Sequence, residues 1–446
     1  MLAPSYRSVY DSFAVLPVIT EQGEALHGLV QRLFPICRSI TGDGVRRTLA
    51  ILGEYLPDLQ VHEVPTGTPA LDWIVPREWN VRDAWVKNQR GERVIDFQEH
   101  NLHLMSYSVP VHGWFTRAEL NEHLHSLPAQ PDLIPYRTSY YVDAWGFCLA
   151  HSQRLALPDE LYEVCIDSTL APGSLTYGEL LLPGETDEEV LISSHICHPS
   201  LANDNLSGLA VATFLAQYLA QAPRRYSYRF VFVPGTIGAI TWLSRNFDAV
   251  ERVQHGLVLT LLGQNGPFTY KQSRRGTAAI DRAAALVLDQ AGVPHAVRPF
   301  SPYGYDERQY CSPGFDLPVG CLSRTPFGEF PEYHTSADNL DFVSPATLQA
   351  SLELVQNILA VLDANRRYRN RSPYGEPQLG RRGLYNNVGG NPEGADWQMT
   401  LLWVLNLSDG QHSLLDIAER AGLPFGRVQQ AATALAATDL LELLPL

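Results

Sequence analysis

The 446-residue chain contains no apolar run of membrane-spanning length, so no transmembrane helix is expected. Its first residues lack the basic-then-apolar order of a secretion signal and carry acids early, which points to the cytoplasm. Paired cysteines are absent too. Cys37, Cys148, Cys165, Cys197, Cys311 and Cys321 are scattered without CxxC spacing, which excludes a disulfide framework and cysteine-bound zinc as organising features. Basic charge is in short supply, with 33 Lys and Arg against 48 Asp and Glu, a net charge of −15. Nucleic acid and anionic membrane are therefore poor candidates for the main partner. Charged residues make up only 18% and hydrophobic residues 45%, a globular and not a disordered balance. The length calls for two or three domains.

What the chain does have is an alternation of strand-like and helix-like runs. Helical spacing marks Glu24 to Phe34 and, after the Gly42-Asp43-Gly44 break, a second helix carrying Val45, Leu49, Leu52 and Leu56. A strand, Leu59 to Val64, follows. Arg38 and Ser39 between the helices are read as surface or capping residues, with a pocket-lining role as the alternative. From Gly67 to about Gly173, prolines, tryptophans and short alternating runs (Trp73–Val75, Asp83–Val86, Val94–Phe97, Tyr140–Trp145, Leu161–Ile166) indicate a β-rich insert with one helix near Leu120–Leu127. Such inserts rim active sites. From Leu175 onward, strands at Tyr177–Leu182, Val190–Ser194, Tyr228–Val233 and Gly256–Leu262 alternate with helices at Leu206–Ala222, from Ile240, and at Arg282–Ala291, predicting an α/β domain with a mostly parallel sheet covered on both faces. Helix Leu348–Ala364 ends it. The expected division is 20–66 with 174–366 for the α/β domain, 67–173 for the insert, and 367–446 for a linker and a final unit. In that unit a helix (Met399–Leu405), a capped helix-turn-helix (Leu414–Ala421, Phe425–Ala437) and a strand (Leu440–Leu444) make a winged-helix pattern. Between Met399 and Leu446 only Arg420 and Arg427 are basic, so packing or oligomerisation is favoured over DNA binding.

Three segments carry chemistry. LISSHICHPSLANDNLSG (Leu191 to Gly208) puts His195, Cys197 and His198 just past a buried strand, then Asp204 ahead of a helix. GYDERQYCSPG (Gly304 to Gly314) offers Asp306, Glu307 and Arg308, and EFPEYHTSADNLDF (Glu329 to Phe342) offers His334. Ligands on loops at the carboxyl edge of an α/β sheet suit a zinc centre, which needs neutral imidazoles, ionised carboxylates and an open position. Thr335, Ser336, Asp338 and Asn339 are expected to form a hydrogen-bonded loop fixing the second ring nitrogen of His334. Backbone N–H groups are expected to hold Asp204.

Taken together, FPICRSITGDGVRRTL, SSHICHPSLANDNLSG, PGTIGAITWLSRN, DERQYCSPG and EYHTSADNLDF resemble a bacterial family of aminopeptidase-like proteins linked with polysaccharide biosynthesis. The resemblance implies a zinc-aminopeptidase-like doubly wound sheet, an inserted β domain and a C-terminal winged helix. It matches Asp204 to the bridging Asp, Asp306 to the later Asp ligand and His334 to the final His. For the first His, strand position favours His195 and the CHPS motif favours His198. The pattern departs where zinc aminopeptidases carry a Glu-Glu pair, since this chain reads Pro234-Gly235-Thr236. A single zinc per chain is then expected, with a general base from elsewhere: Glu307, Glu329 or Glu332. Glu307 is favoured, and Arg308 would stabilise an oxyanion or a substrate carboxylate. The implied activity is a zinc metallohydrolase cleaving an amide in a small peptide or aminoacyl-type substrate. The alternatives are a catalytically silent binding protein on the same fold and a DNA-binding regulator acting through the final unit.

Overall fold

The structure is a computed structural model that describes residues 22–384 and 392–444. The leader reading above, the first two residues of the expected α/β domain and part of the expected linker lie outside the described residues. By internal contacts the chain forms two units, as far as they are described: one of residues 22–276 and 294–352, the other of residues 277–293, 353–384 and 392–444. Among the described residues no helix is long and apolar enough to cross a membrane.

The first unit is built on one eight-stranded sheet. Its strands are β1 (Gln60–Pro65), β2 (Ser174–Leu182), β3 (Glu189–His195), β4 (Ser227–Val233), β5 (Val253–Leu259), β6 (Phe268–Lys271), β7 (His295–Arg298) and β8 (Val319–Ser323), in the order β1-β2-β4-β3-β5-β8-β6-β7. β4, β3, β5 and β8 run parallel at the centre, while β1, β2 and β6 add antiparallel pairings. Every residue of β3 and β4 is buried, as parallel strands covered on both faces require. From β3 the chain crosses to β4 on one side and then to β5 on the other. The carboxyl end of β3 is thus a topological switch point, where side chains from separate loops can converge.

Arg229 shows where composition misleads. It lies inside β4 because Glu189 takes its Nε and Nη2 at 2.5 and 2.8 Å and Glu179 takes Nη1. A buried guanidinium is tolerable when carboxylates surround it.

Among the described residues two helices precede β1: α1 (Gly23–Leu33) and α2 (Asp43–Tyr55), each burying one apolar stripe. The turn between them is tight. Gly42 has φ 96°, and a Cβ on Gly44 would stand 1.9 Å from the Cys37 carbonyl oxygen. That turn tucks Arg38, Ser39 and Thr41 inward, each 1% exposed, which corrects the surface reading of Arg38 and Ser39. The insert contributes a four-stranded antiparallel sheet in which Glu78–Lys87 and Leu161–Ala171 pair at the centre, flanked by Arg93–Asp96 and Val111–Thr116. The run Tyr140–Trp145 is turn and irregular chain instead of a strand. Its Tyr140 packs inward against Tyr107 instead of alternating along a ladder.

The second unit holds the helices Pro392–Leu407, Leu414–Ala421 and Phe425–Ala437 with a three-stranded sheet of Arg367–Asn370, Asp409–Ser413 and Leu441–Leu443. Ser413 and Asp416 form the expected capping box. Arg282, on the helix Ala279–Ala291, reaches Asp416 at 2.6 Å and also pairs with Glu419.

Candidate metal centre

His195 is the last residue of β3 and is 2% exposed. The irregular segment Ala202–Ser207 then folds back beside it. Asn203 accepts from the Gly263 and Gln264 amides at 2.9 and 3.2 Å, and Asn205 donates to Ser194 Oγ at 2.9 Å, stapling the segment to the ends of β3 and β5. Asp204, between the two asparagines, is completely buried and faces the histidines.

Three imidazoles surround that one carboxylate. His195 Nε2 lies 2.9 Å from Asp204 Oδ1, His334 Nε2 3.0 Å from Oδ2, and His198 Nε2 3.9 Å from Oδ2. Ligand atoms of His195, His198 and Asp204 all fall within 4.8 Å of one another. Burial would raise the Asp204 carboxyl, but His198, His195 and His334 together hold it well below the ordinary range. Burial also pushes His198 down to about 3, against the pull of Asp204, so the ring is neutral near pH 7 and one of its two nitrogens can donate to a metal. The side chain of Asp204 is held by histidines, not by the backbone N–H groups expected from the sequence. Asp338 is the residue on backbone N–H groups, accepting from Asn203 and Asp204 at 2.6 and 2.9 Å. The expected grip of the Thr335–Asn339 loop on the His334 ring is replaced by this grip on the opposite segment.

His334 has φ 56°, a left-handed backbone that a histidine adopts only when its surroundings enforce it. The insert does the enforcing. Tyr136 donates its amide to the His334 carbonyl at 2.8 Å, Ser336 donates to the Ile134 carbonyl at 2.9 Å, and Gln130 reaches the Pro331 carbonyl at 2.7 Å. Aromatic rings complete the frame: Tyr333 stacks on His334 at 3.9 Å, Tyr305 stacks on His195 at 5.1 Å, and Tyr136 touches His334 and His198 at 5.0 and 5.2 Å. Sequence reasoning missed Tyr136, Tyr305 and Tyr333. The tyrosines beside the DERQY and YHTS motifs could have been flagged by adjacency, but nothing local marks Tyr136.

Asp306 sits on the Gly235 side of His195. A Cβ on Gly235 would lie 3.2 Å from the His195 Cβ and 3.5 and 3.6 Å from the two Asp306 oxygens. Both of those oxygens are buried without a hydrogen-bond partner. Burial lifts the Asp306 carboxyl to about 6, with His195 opposing. Glu307 is 1% exposed; Lys271 Nζ donates to its Oε1 at 2.7 Å, and Oε2 is buried and unpartnered. Arg308 lies over the Tyr303 ring at 5.5 Å. Glu329 is exposed and paired with Arg298 at 2.8 Å, and Glu332 is half-buried. Of the three candidate bases, Glu307 alone is buried. The donor set fits zinc: imidazole nitrogens, an ionised carboxylate between them, and an orphaned carboxylate nearby that no group of the described residues satisfies.

A doubly wound α/β sheet with histidine and carboxylate donors at its switch point, joined to a winged-helix unit, defines an aminopeptidase-like protein. Residues 27–365 match a family described as a domain of unknown function (DUF4910), and the chain belongs to that family; residues 366–443 match a winged helix-turn-helix family. The chain is 49% identical over 424 residues, 95% of its length and 97% of the relative's, to a Clostridium acetobutylicum protein provisionally named as a polysaccharide biosynthesis protein with an aminopeptidase-like domain. It is similar to the crystal structure of a provisionally assigned peptidase from Clostridium acetobutylicum, with TM-score 0.91 and 47% identity over 98% of each chain. A zinc aminopeptidase from Bacillus subtilis shares the fold at TM-score 0.57 and 11% identity, over 78% of this chain and 96% of that one. The winged-helix match begins at residue 366 and so takes in Arg366, Arg367, Arg369 and Arg371 ahead of the stretch weighed above. Across residues 366–443 eight arginines face eight carboxylates, a balanced and not an acidic unit.

Proposed function

We propose that the chain is a zinc-dependent metallohydrolase of aminopeptidase type, cleaving an amide bond in a small peptide or peptide-like conjugate with one zinc per chain. The observation that carries this reading is Asp204, buried among His195, His198 and His334 beside the unsatisfied Asp306. Asp204, His334 and one or both of His195 and His198 would hold the metal, with Asp306 closing the set. Zinc at such a centre supplies Lewis-acid polarisation of a carbonyl and acidifies water. The rest is done by the chain. Glu307, fixed at one oxygen by Lys271, takes the nucleophile's proton at its free Oε2 and returns it to the leaving amine. Arg308 stabilises the oxyanion or a substrate carboxylate. Tyr305, Tyr333 and Tyr136 lock the imidazoles by packing and exclude water from their faces. The winged-helix unit serves packing or self-association.

Gly235 favours a second reading, a silent peptidase fold that binds a ligand without turning it over, because glycine supplies neither metal ligand nor base where the sheet offers a place for one. Metal analysis of the purified protein, followed by a screen of aminoacyl and acylated amino-sugar amides with and without chelator, separates the two. Chelator-sensitive turnover supports the hydrolase; stoichiometric zinc or none, with no turnover on any amide class, supports the binding protein.

A further inference from the structure

Cys197 lies between His195 and His198 in the chain, is 1% exposed, and has no part in the hydrolysis described above. Its Sγ stands 3.4 Å from His198 Nδ1 and donates to the Gly235 carbonyl at 3.7 Å. The other nitrogen of that ring, His198 Nε2, lies 3.9 Å from Asp204 Oδ2, beyond hydrogen-bond reach. Among the described residues the ring therefore hydrogen-bonds only through Nδ1. Its position is fixed from several sides. Arg38 Nε donates to the His198 carbonyl at 2.9 Å, and the rings of His195, Tyr136 and His334 pack around it at 4.9, 5.2 and 5.2 Å.

A neutral imidazole carries one ring proton, and a thiol has one hydrogen to give. The thiol hydrogen goes to the Gly235 carbonyl, which has no other donor among the described residues. The sulfur lone pairs are left facing His198 Nδ1, so that nitrogen carries the ring proton and Nε2, on the Asp204 side, keeps its lone pair. His195 is set the other way. Asn205 Nδ2 donates to Ser194 Oγ at 2.9 Å and lies 3.4 Å from His195 Nδ1, while Asn205 Oδ1 accepts from the Leu261 amide at 3.3 Å, which fixes the end of the amide that faces the ring. A donor against Nδ1 puts the His195 proton on Nε2, 2.9 Å from Asp204 Oδ1. The nitrogen that meets a metal is the one whose lone pair the opposite hydrogen bond leaves free. We infer that Cys197 is a positioning residue that makes His198 a ligand of the metal through Nε2, by accepting the hydrogen bond of its Nδ1. This deepens the proposed metal centre and rests on it, and it needs no turnover to be tested.

The probe is zinc alone, added to full-length protein cleared of metal by chelator and labelled at histidine with heavy nitrogen. Long-range proton–nitrogen spectra near neutral pH, with the His198 signals assigned by their loss in His198→Gln, should show the ring proton on Nδ1 in the metal-free parent. Competition with a chelating dye should give a zinc affinity about tenfold weaker in Cys197→Ala, at the lower end of what outer partners of a ligating histidine contribute, with Cys197→Ser between it and the parent. In the His198→Gln background Cys197→Ala should cost nothing further, which a merely structural role of the thiol would not produce. A ring proton on Nε2 in the parent, undiminished affinity in Cys197→Ala, or an equal loss in the His198→Gln background each overturns the inference. If Cys197→Ala fails to fold, Cys197→Ser carries the same cycle, and an affinity equal to the parent's there counts against it. A parent that takes up no zinc overturns the ligand role together with the metal reading; zinc taken up equally by parent and variants overturns the ligand role alone. Zinc held in this way by a protein that cleaves no amide would sink the hydrolase reading and spare the role of Cys197.

Discussion

Replacing Asp306 with asparagine should move two measurements in opposite directions. In the metal-free protein both carboxylate oxygens are buried and unpartnered, and burial, against His195, lifts the carboxyl from its ordinary 3.8 to about 6. An acid with a raised folded-state value penalises the fold as pH rises. The penalty is absent below the unfolded value, grows between the two and is complete above the folded one. A gap of about two units corresponds to about 3 kcal/mol. Asp306→Asn keeps the shape and drops the charge, so chelator-treated variant should be up to about 3 kcal/mol more stable than its parent at about pH 8 and equal to it at about pH 4. Zinc should reverse the order. The parent gains a ligand that asparagine supplies poorly, and a loss of at least about tenfold in affinity is expected, since even groups one layer further from a metal cost that much. Urea unfolding at both pH values, with chelator and with zinc, reads all four quantities. A variant less stable than its parent without metal near pH 8, or one that binds zinc as tightly, would refute the assignment of Asp306 as an orphan awaiting a cation.

Glu307→Gln should abolish at least about 99% of turnover, the usual share of a general base, while zinc content measured by atomic absorption stays unchanged; undiminished turnover removes Glu307 from the mechanism. Gly235→Glu places a carboxylate between His195 and Asp306 and should raise the zinc content from one toward two per chain, with a small stability loss because its Cβ stands 3.2 Å from that of His195; a stoichiometry still at one would show that a second site needs more than this ligand. His255 is lowered to about 4, chiefly by burial and then by Arg225 and Arg275. Its contribution is whole above pH 6.5 and fades as pH falls toward about 4, so His255→Gln should flatten that limb of the stability curve by up to about 3 kcal/mol, with His100 and His125 leaving a residual slope. An unchanged acid limb would mean that His255 is as accessible to protons folded as unfolded.

The alternation of β3, β4 and β5 with their helices was legible because buried parallel strands are continuous apolar runs and helices repeat every three to four residues. The short strands β6, β7 and β8 were not read, nor was the buried charge of Arg229, since runs of four or five residues are too short to show a period and ion pairs between distant strands leave none. The capping box at Ser413 was legible for the opposite reason, because both partners lie within one turn.

The chain by itself determined which residue types stand at the loop ends: histidine at 195, 198 and 334, carboxylate at 204, 306 and 307, glycine at 235. Those follow from motif and spacing, which are properties of neighbours in sequence. Only the tertiary structure decided that three imidazoles close on a single Asp204, that Asp338 grips the segment opposite and not its own loop, that Tyr136 of the insert braces His334, and that Arg38 ends up inside with no carboxylate of the described residues to neutralise it. Apart from His195 and His198, which are near neighbours of Asp204 in sequence, each of those is a meeting of segments about 130 to 200 residues apart, set by sheet order and by how the insert folds back, and no local pattern encodes such a meeting.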